Sequence, residues 1–157
     1  MAPCVAAARM GNMKTPVTNP VKPSLKTTRV SDAMTTGVIR CAPHTSLRHV
    51  AAIMAEQHVH AVYVFDFGDE DDVAPELWGL VSDLDLVAAA RGDIDARTAH
   101  DASVTPLVDV RSDDSLDRAA QLMSEYGVSH LAVLEPGTRR PIGVLSTLDI
   151  ARVIAAA

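Results

Sequence analysis

A chain of 157 residues has the size of one compact domain and is long enough to bury a core. Hydrophobic residues at 48% and charged residues at 22% fit a soluble globular class, and aromatics at 3% argue against a stacking platform for single-stranded nucleic acid. Net charge is −6, yet residues 1–29 carry Arg9, Lys14, Lys22, Lys26 and Arg29 and no acid, so the rest stands near −11 (−6 less +5) and is ill suited to a phosphate backbone.

Residues 1–29 hold Pro3, Pro16, Pro20 and Pro23 among Thr, Asn, Lys and Gly, and read as an extended basic tail. Met10 and Met13 are alternative starts, and Val5–Ala8 is too short for a signal-peptide core. Cys4 and Cys41 give neither a disulfide framework nor metal-ligand spacing. No apolar run approaches the roughly 18 residues that span a bilayer. The expectation is a cytoplasmic protein without membrane contact, and nucleic-acid binding is not expected.

From Val30 the chain repeats itself. Thr45-Ser46-Leu47, Val50-Ala51 and Met54 return as Asp114-Ser115-Leu116, Ala119-Ala120 and Met123, at an offset of 69. Val59-His60-Ala61-Val62-Tyr63-Val64 returns as Val128-Ser129-His130-Leu131-Ala132-Val133 at the same offset. Trp78-Gly79-Leu80-Val81-Ser82-Asp83-Leu84-Asp85-Leu86 returns as Ile142-Gly143-Val144-Leu145-Ser146-Thr147-Leu148-Asp149-Ile150, at an offset of 64. The difference falls in the acidic stretch Asp66–Pro75, where a loop absorbs insertions. Such a match implies internal duplication.

In chain order, each copy predicts a short strand (Val38–Cys41; Leu107–Val110). A helix follows, with apolar residues at i, i+3, i+4 and i+7. Thr45 and Asp114 are its predicted N-caps; Gly127 and His58 stand at its left-handed ends. Two strands come next (Ala61–Phe65 with Leu77–Val81; Leu131–Leu134 with Ile142–Leu145), then a last helix (Asp83–Ala90; Thr147–Ala155). Arg91–His100 reads as a bridge. The predicted class is α/β (α+β): two pseudo-symmetric β-α-β-β-α repeats packed through their sheets, behind an extended tail. The expected units are a tail over 1–29, a first motif over 30–91 and a second over 92–157 that includes the linker 92–100. Neither copy covers its own apolar surface, so the two must pack together and leave clefts where they meet.

Two strand-to-helix junctions carry the chemistry, Gly79-Leu80-Val81-Ser82-Asp83-Leu84-Asp85 and Gly143-Val144-Leu145-Ser146-Thr147-Leu148-Asp149. Ser-x-x-Asp at a helix start is a capping box in its structural reading. In its functional reading the same junction offers backbone N–H groups to a phosphate and a carboxylate to two ribose hydroxyls, with glycine allowing close approach.

This ordered set, occurring twice, resembles the cystathionine-β-synthase (CBS) domain over about residues 30–155. Ala33-Met34-Thr35-Thr36-Gly37-Val38-Ile39 and Val59–Val64 are similar to the start and middle of that family's motif. The resemblance implies a Bateman module, non-catalytic, that binds AMP, ADP, ATP or S-adenosylmethionine in the inter-copy cleft as a regulatory ligand, with no required cofactor. It signals to an effector protein and forms a homodimer. By the same resemblance Asp85 and Asp149 hold ribose hydroxyls, and Ser82 and Ser146 meet phosphate or ribose. Thr36, Val38 and Ile39, with Thr105 and Leu107, line the base; His60, Val62, His130 and Leu131 wall the pocket.

The chain departs from the family where Tyr63 and Ala132 replace a common proline. Tyr63 is expected to narrow the first pocket. Asp83 is expected to oppose phosphate beside Ser82, whereas its twin Thr147 carries no charge, so the Ser146/Asp149 site is expected to be the better one. Both departures favour the alternative of a ligand-free scaffold. His58 and His60 lack a third zinc ligand, and Asp69-Glu70-Asp71-Asp72 lacks a calcium register. No nucleophile elbow, catalytic carboxylate pair or phosphate loop is found.

Overall fold

The structure is a computed structural model that describes residues 23–66, 76–103 and 107–157. The acidic run 69–72, Thr105 and residues 1–22 of the basic tail lie outside the described residues.

Each copy is built from one amphipathic helix, a hairpin and a second helix. In the first copy α1 (Leu47–Gln57) buries Leu47, Val50 and Met54. It ends on His58, which adopts a left-handed conformation at φ 53°. Its N-cap is Ser46, one residue after the expected Thr45: the Ser46 hydroxyl accepts from the His49 amide at 3.3 Å. The second copy repeats this. There α4 (Leu116–Tyr126) starts on Ser115, whose hydroxyl accepts from Arg118 N–H, and ends on left-handed Gly127. Asp114, the expected cap, instead accepts from the Arg111 amide.

The first sheet has the order β2-β3-β4, from Arg40–Cys41, Ala61–Asp66 and Glu76–Ser82. Strands β2 and β3 are parallel; β3 and β4 are antiparallel, with Val62 opposite Val81. The second sheet has four strands in the order β1-β7-β6-β5: Thr35–Thr36, Pro141–Ser146, His130–Leu134 and Asp109–Arg111. Helices α2 (Asp83–Ala89) and α5 (Thr147–Ala156) follow β4 and β7 directly.

The extra strand β1 comes from the other end of the chain. Residues 24–36, whose first part was expected to belong to an extended tail, cross to the second copy. Val30 is fully buried in that copy's core beside Leu116, Leu131 and Leu145, with Leu25 packed against it. The amides of Val30 and Ser31 donate to the carbonyls of Asp114 and Ser112, and Leu116 N–H donates to the Thr28 carbonyl. The bridge 91–100 makes the reciprocal crossing. Ala99 and His100 donate to Thr45 and Pro43, and Leu47 N–H donates to Arg97. Ala99 opens a short helix, α3 (Ala99–Ala102), and is fully buried in the first core. An Arg48–Asp95 ion pair reinforces the crossing.

The two sheets face each other through Ala61, Tyr63, Phe65, Leu80 and Ala132. Along β3 residues 61, 63 and 65 point at the opposing sheet, and 62 and 64 point at the first copy's own helices, as strand alternation requires. Tyr63 is fully buried there. Its hydroxyl donates to the Gly143 carbonyl at 2.6 Å and accepts from Val133 N–H at 3.2 Å. Burial pushes its ionisation well above the usual phenol range. The expected role of Tyr63 in narrowing a pocket is therefore corrected: it joins the copies through their sheets. Tyr63→Phe should remove both bonds and lower unfolding stability by about 1–3 kcal/mol, read as a lower urea midpoint with an unchanged slope.

Candidate functional site

Two clefts lie where the copies meet, and each combines elements of both. The first, about 220 Å³, is lined by Ser146 and Asp149 of the second copy's strand-to-helix junction. Across from them stand Thr35–Gly37 and Ile39 of the crossing segment and His58–Ala61 of the first copy. The second, about 190 Å³, is lined by Ser82 and Asp85, with Leu107 and Val108 opposite and Tyr126–His130 behind. The linings are twins: Ser146 and Asp149 correspond to Ser82 and Asp85, Ile39 to Val108, and residues 58–61 to 127–130.

Chain crossing builds these clefts. Strand β1 pairs antiparallel with β7, placing Thr35 opposite Val144 and Thr36 opposite Gly143. The chain then passes to the first sheet: Gly37 N–H donates to Ile142, and Ile39 accepts from Tyr63 N–H. Gly37 sits at φ 113°, a conformation an L side chain resists. Gly143 serves a different need. A Cβ there would fall well inside contact distance of the Thr35 carbonyl, so the glycine admits β1 against β7.

Both Ser-x-x-Asp junctions form capping boxes. Asp149 Oδ2 accepts from the Ser146 amide at 2.8 Å and hydroxyl at 2.6 Å, and Asp149 N–H donates back to Ser146 Oγ. Asp85 and Ser82 do the same at 2.7 and 2.6 Å. Asp149 is buried, and its Oδ1 accepts from Arg152 at 2.9 Å. A carboxylate offers about four acceptor positions, so capping leaves acceptor capacity for a ligand hydroxyl.

The clefts share one wall. His130 lines both, and its ring stacks on His60 with centroids 6.4 Å apart and planes 14° from parallel. Its Nδ1 lies 2.9 Å from the Ser129 hydroxyl. Burial lowers the His130 pKa, opposed by the charges of Asp83, Asp149 and Asp85 and assisted by His60. His60 Nδ1 is 2.9 Å from Asp83 Oδ2. Asp83 also accepts from Leu84 N–H. Its carboxylate thus turns to His60, a wall of the Asp149 cleft, and it is not among the residues that line the Ser82 cleft.

Of the remaining expected site residues, Thr36, Ile39 and His60 meet Ser146, Asp149 and His130 in the first cleft, and Leu107 joins Ser82 and Asp85 in the second. Val62 and Leu131 are corrected: both are fully buried in the cores of their own copies, on the strand face that points at the helices. Val38 packs against the inter-sheet cluster, and Thr147 is exposed at the start of α5 without lining either cleft. Val59, Val144, Leu84, Tyr126 and Val128 are lining residues not foreseen. The 69-residue offset maps Val59 onto Val128 and could have found that pair.

A family model described as the CBS domain matches residues 30–92 and 99–156. The chain belongs to the CBS domain family. The CBS domain-containing protein YhcV of Bacillus subtilis is 26% identical over 124 residues, 78% of this chain and 82% of the relative. The CBS domain pair of protein MJ0100, solved in complex with 5′-methylthioadenosine and S-adenosyl-L-methionine, superposes with a TM-score of 0.69 at 21% identity, covering 82% of this chain and 96% of that one. Hypoxic Response Protein I, solved with two coordinated zinc ions, superposes with a TM-score of 0.60 at 28% identity, covering 80% and 98%. Among the described residues of this CBS pair, no group of three or more His, Cys, Asp or Glu could hold a metal ion. No described helix is long and apolar enough to cross a membrane.

The CBS junctions predict separable structural costs. Ser146→Ala should cost about 0.5–2 kcal/mol with no ligand present, through loss of the cap. Gly143→Ala should cost about 1–3 kcal/mol by overpacking. It should also speed hydrogen exchange at the Gly37 amide, whose bond to Ile142 depends on β1 staying against β7.

Proposed function

We propose that this CBS pair is a cytoplasmic, non-catalytic regulatory module that binds an adenosine-type ligand between its copies and passes the change in their relative angle to an effector protein. The observation that carries the reading is the pairing, in each cleft, of a Ser-x-x-Asp junction from one copy with the 58–61 or 127–130 segment of the other. A ligand seated there touches both copies, so its differential affinity for two arrangements shifts their equilibrium. The binding of methylthioadenosine and S-adenosylmethionine by the similar pair of protein MJ0100 supports an adenosine ligand. Each cleft is smaller than the roughly 300–1,000 Å³ of a drug-sized pocket, which suits a nucleoside held inside with its substituent at the mouth.

Asp85 and Asp149 hold the ribose hydroxyls in this reading, and Ser82 and Ser146 lie beside the 5′ substituent. Thr36 and Ile39 contact the base in one cleft and Leu107 in the other. The Asp149 cleft is the stronger site. It faces a ten-residue helix α5, whose N-terminal dipole is better developed than that of the seven-residue α2, and it carries three imidazoles where its twin carries one. With Tyr63 placed between the sheets, the ligand-free scaffold loses one of its two supports.

A thermal-shift titration with AMP, ADP, ATP and S-adenosylmethionine tests the reading. An adenosine compound that binds the folded chain raises the melting temperature by mass action. Asp149→Ala should lose more of the shift than Asp85→Ala; the reverse order would sink the site ranking. No shift with any of the four at about millimolar concentration would move the assignment to the scaffold. ATP turnover that survived loss of both aspartates would overturn the non-catalytic reading.

The module is also proposed to be a homodimer. Leu84 and Val87 on α2 are 56% and 66% exposed, and Leu148 and Ile154 on α5 are 55% and 59% exposed. These helices hold pseudo-equivalent places, so a second copy related by a twofold axis can cover both at once. Val87→Asp with Ile154→Asp should convert the dimer to a folded monomer by light scattering; an unchanged mass would place the contact elsewhere.

A further inference from the structure

The two clefts are geometric twins with different chemistry. The Asp149 cleft has His58 and His60 where the Asp85 cleft has Gly127 and Ser129, and it shares His130. Three imidazoles therefore face one cavity, together with the hydroxyl-bearing Thr35 and Thr36. Two of the three are held in place: His60 and His130 stack 14° from parallel, and each has its Nδ1 engaged, His60 with Asp83 and His130 with Ser129. With Nδ1 engaged, Nε2 is the ring nitrogen left to meet a ligand. A neutral imidazole holding its proton on Nδ1 presents only an acceptor there. Gaining a proton turns Nε2 into a charged donor, which is what a phosphate oxygen requires.

We propose that the His58–His60–His130 wall of the Asp149 cleft is a proton-linked phosphate subsite, so that this cleft selects adenosine ligands carrying phosphate and binds them more tightly as pH falls. The inference rests on the adenosine reading above and specifies its ligand class. The charged groups facing the wall are Asp83 at the start of α2, Asp85 on α2, and Asp149 on α5 with Arg152 attached. Burial and the neighbouring His60 hold the His130 pKa below the ordinary histidine value in the free protein. A phosphate against the ring opposes both effects and draws a proton onto it. The sign follows: the complex holds more protons than the free protein, so affinity rises as pH falls towards the free-state value. Sharing of His130 adds a consequence. A proton recruited by an anion in one cleft is charge presented to the other.

Calorimetric titration of the full chain with AMP and with adenosine, between about pH 8 and about pH 6, tests this. Two buffers of different ionisation enthalpy read the protons taken up. The expected result for AMP is uptake approaching about one proton and an affinity gain of up to about tenfold per pH unit, measured as the ratio of wild type to His130→Asn. The phosphate's own ionisation near pH 6 cancels in that ratio. Adenosine should bind both proteins without a pH trend, and His60→Asn should weaken the AMP trend if the stack acts as a unit. AMP and adenosine binding with the same pH dependence, or an AMP affinity ratio between wild type and the His60→Asn/His130→Asn pair that stays flat with pH, overturns the subsite while leaving the adenosine cleft standing. Absence of binding by both compounds overturns the cleft reading and the subsite with it.

Discussion

Three backbone hydrogen bonds tie residues 28–31 to the second repeat, and three equivalent ones tie residues 97–100 to the first. This reciprocal exchange is the constraint on which the rest of the molecule depends. Each crossing segment delivers one fully buried side chain, Val30 or Ala99, into the other copy's core. Removing either would leave a core open and its flanking amides without partners, costs of the size that unfold small domains. Neither repeat is complete alone. Beyond the crossing, residues 37–39 return to the first sheet, and Gly37 and Ile39 line the Asp149 cleft on the way. The cleft is thus a by-product of how the two copies close each other's cores, and anything bound there touches the exchange directly.

Much of this was legible in the sequence, and what was not has identifiable physical causes. Helix α1 was readable because Leu47, Val50 and Met54 repeat at helical spacing; only its cap moved, from Thr45 to Ser46, a one-residue shift of the kind helix ends commonly show. The Ser-x-x-Asp junctions were readable because a capping box is local chemistry. Strand β3 was not readable in its facing. Ala61-Val62-Tyr63-Val64-Phe65 is apolar throughout, because one face meets the helices and the other meets the opposing sheet, so alternation carries no signal. The family resemblance placed Val62 in a pocket and Tyr63 against one, and no alternation spoke against it; the first is core and the second joins the sheets. The crossing of residues 24–36 was illegible for another reason. It is set by pairing with residues about 80 to 110 positions away, and no local pattern encodes such a partner.

The two copies stay alike at the junctions that cap their last helices and differ along the cleft wall. Both junctions keep serine and aspartate, and both helices before the hairpins end left-handed, on His58 and Gly127. A histidine in that conformation is less comfortable than a glycine. The local strain at His58 buys nothing for the fold that its twin Gly127 does not already supply. Its side chain lines the Asp149 cleft, and there the substitution has a consequence.

Tyr63 limits how a ligand can be signalled. Its hydroxyl touches Val133 on β6 and Gly143 on β7, and Gly143 in turn opposes Thr36 of the crossing strand and lies three residues before Ser146. A large rotation of one sheet over the other would break two buried hydrogen bonds at once. The copies are therefore held to small angular changes about this contact, or to a change in which the bonds are exchanged for others. Under the proposed function Asp149 would sense such a change, because its cap to Ser146 can persist while Arg152, largely exposed, would yield its oxygen to a ribose hydroxyl. Ligand binding of the proposed kind would then leave the helix capped and alter the charge balance of the cleft. Under the proposed function the response would be carried by α5 moving as an intact unit, with its exposed Leu148 and Ile154.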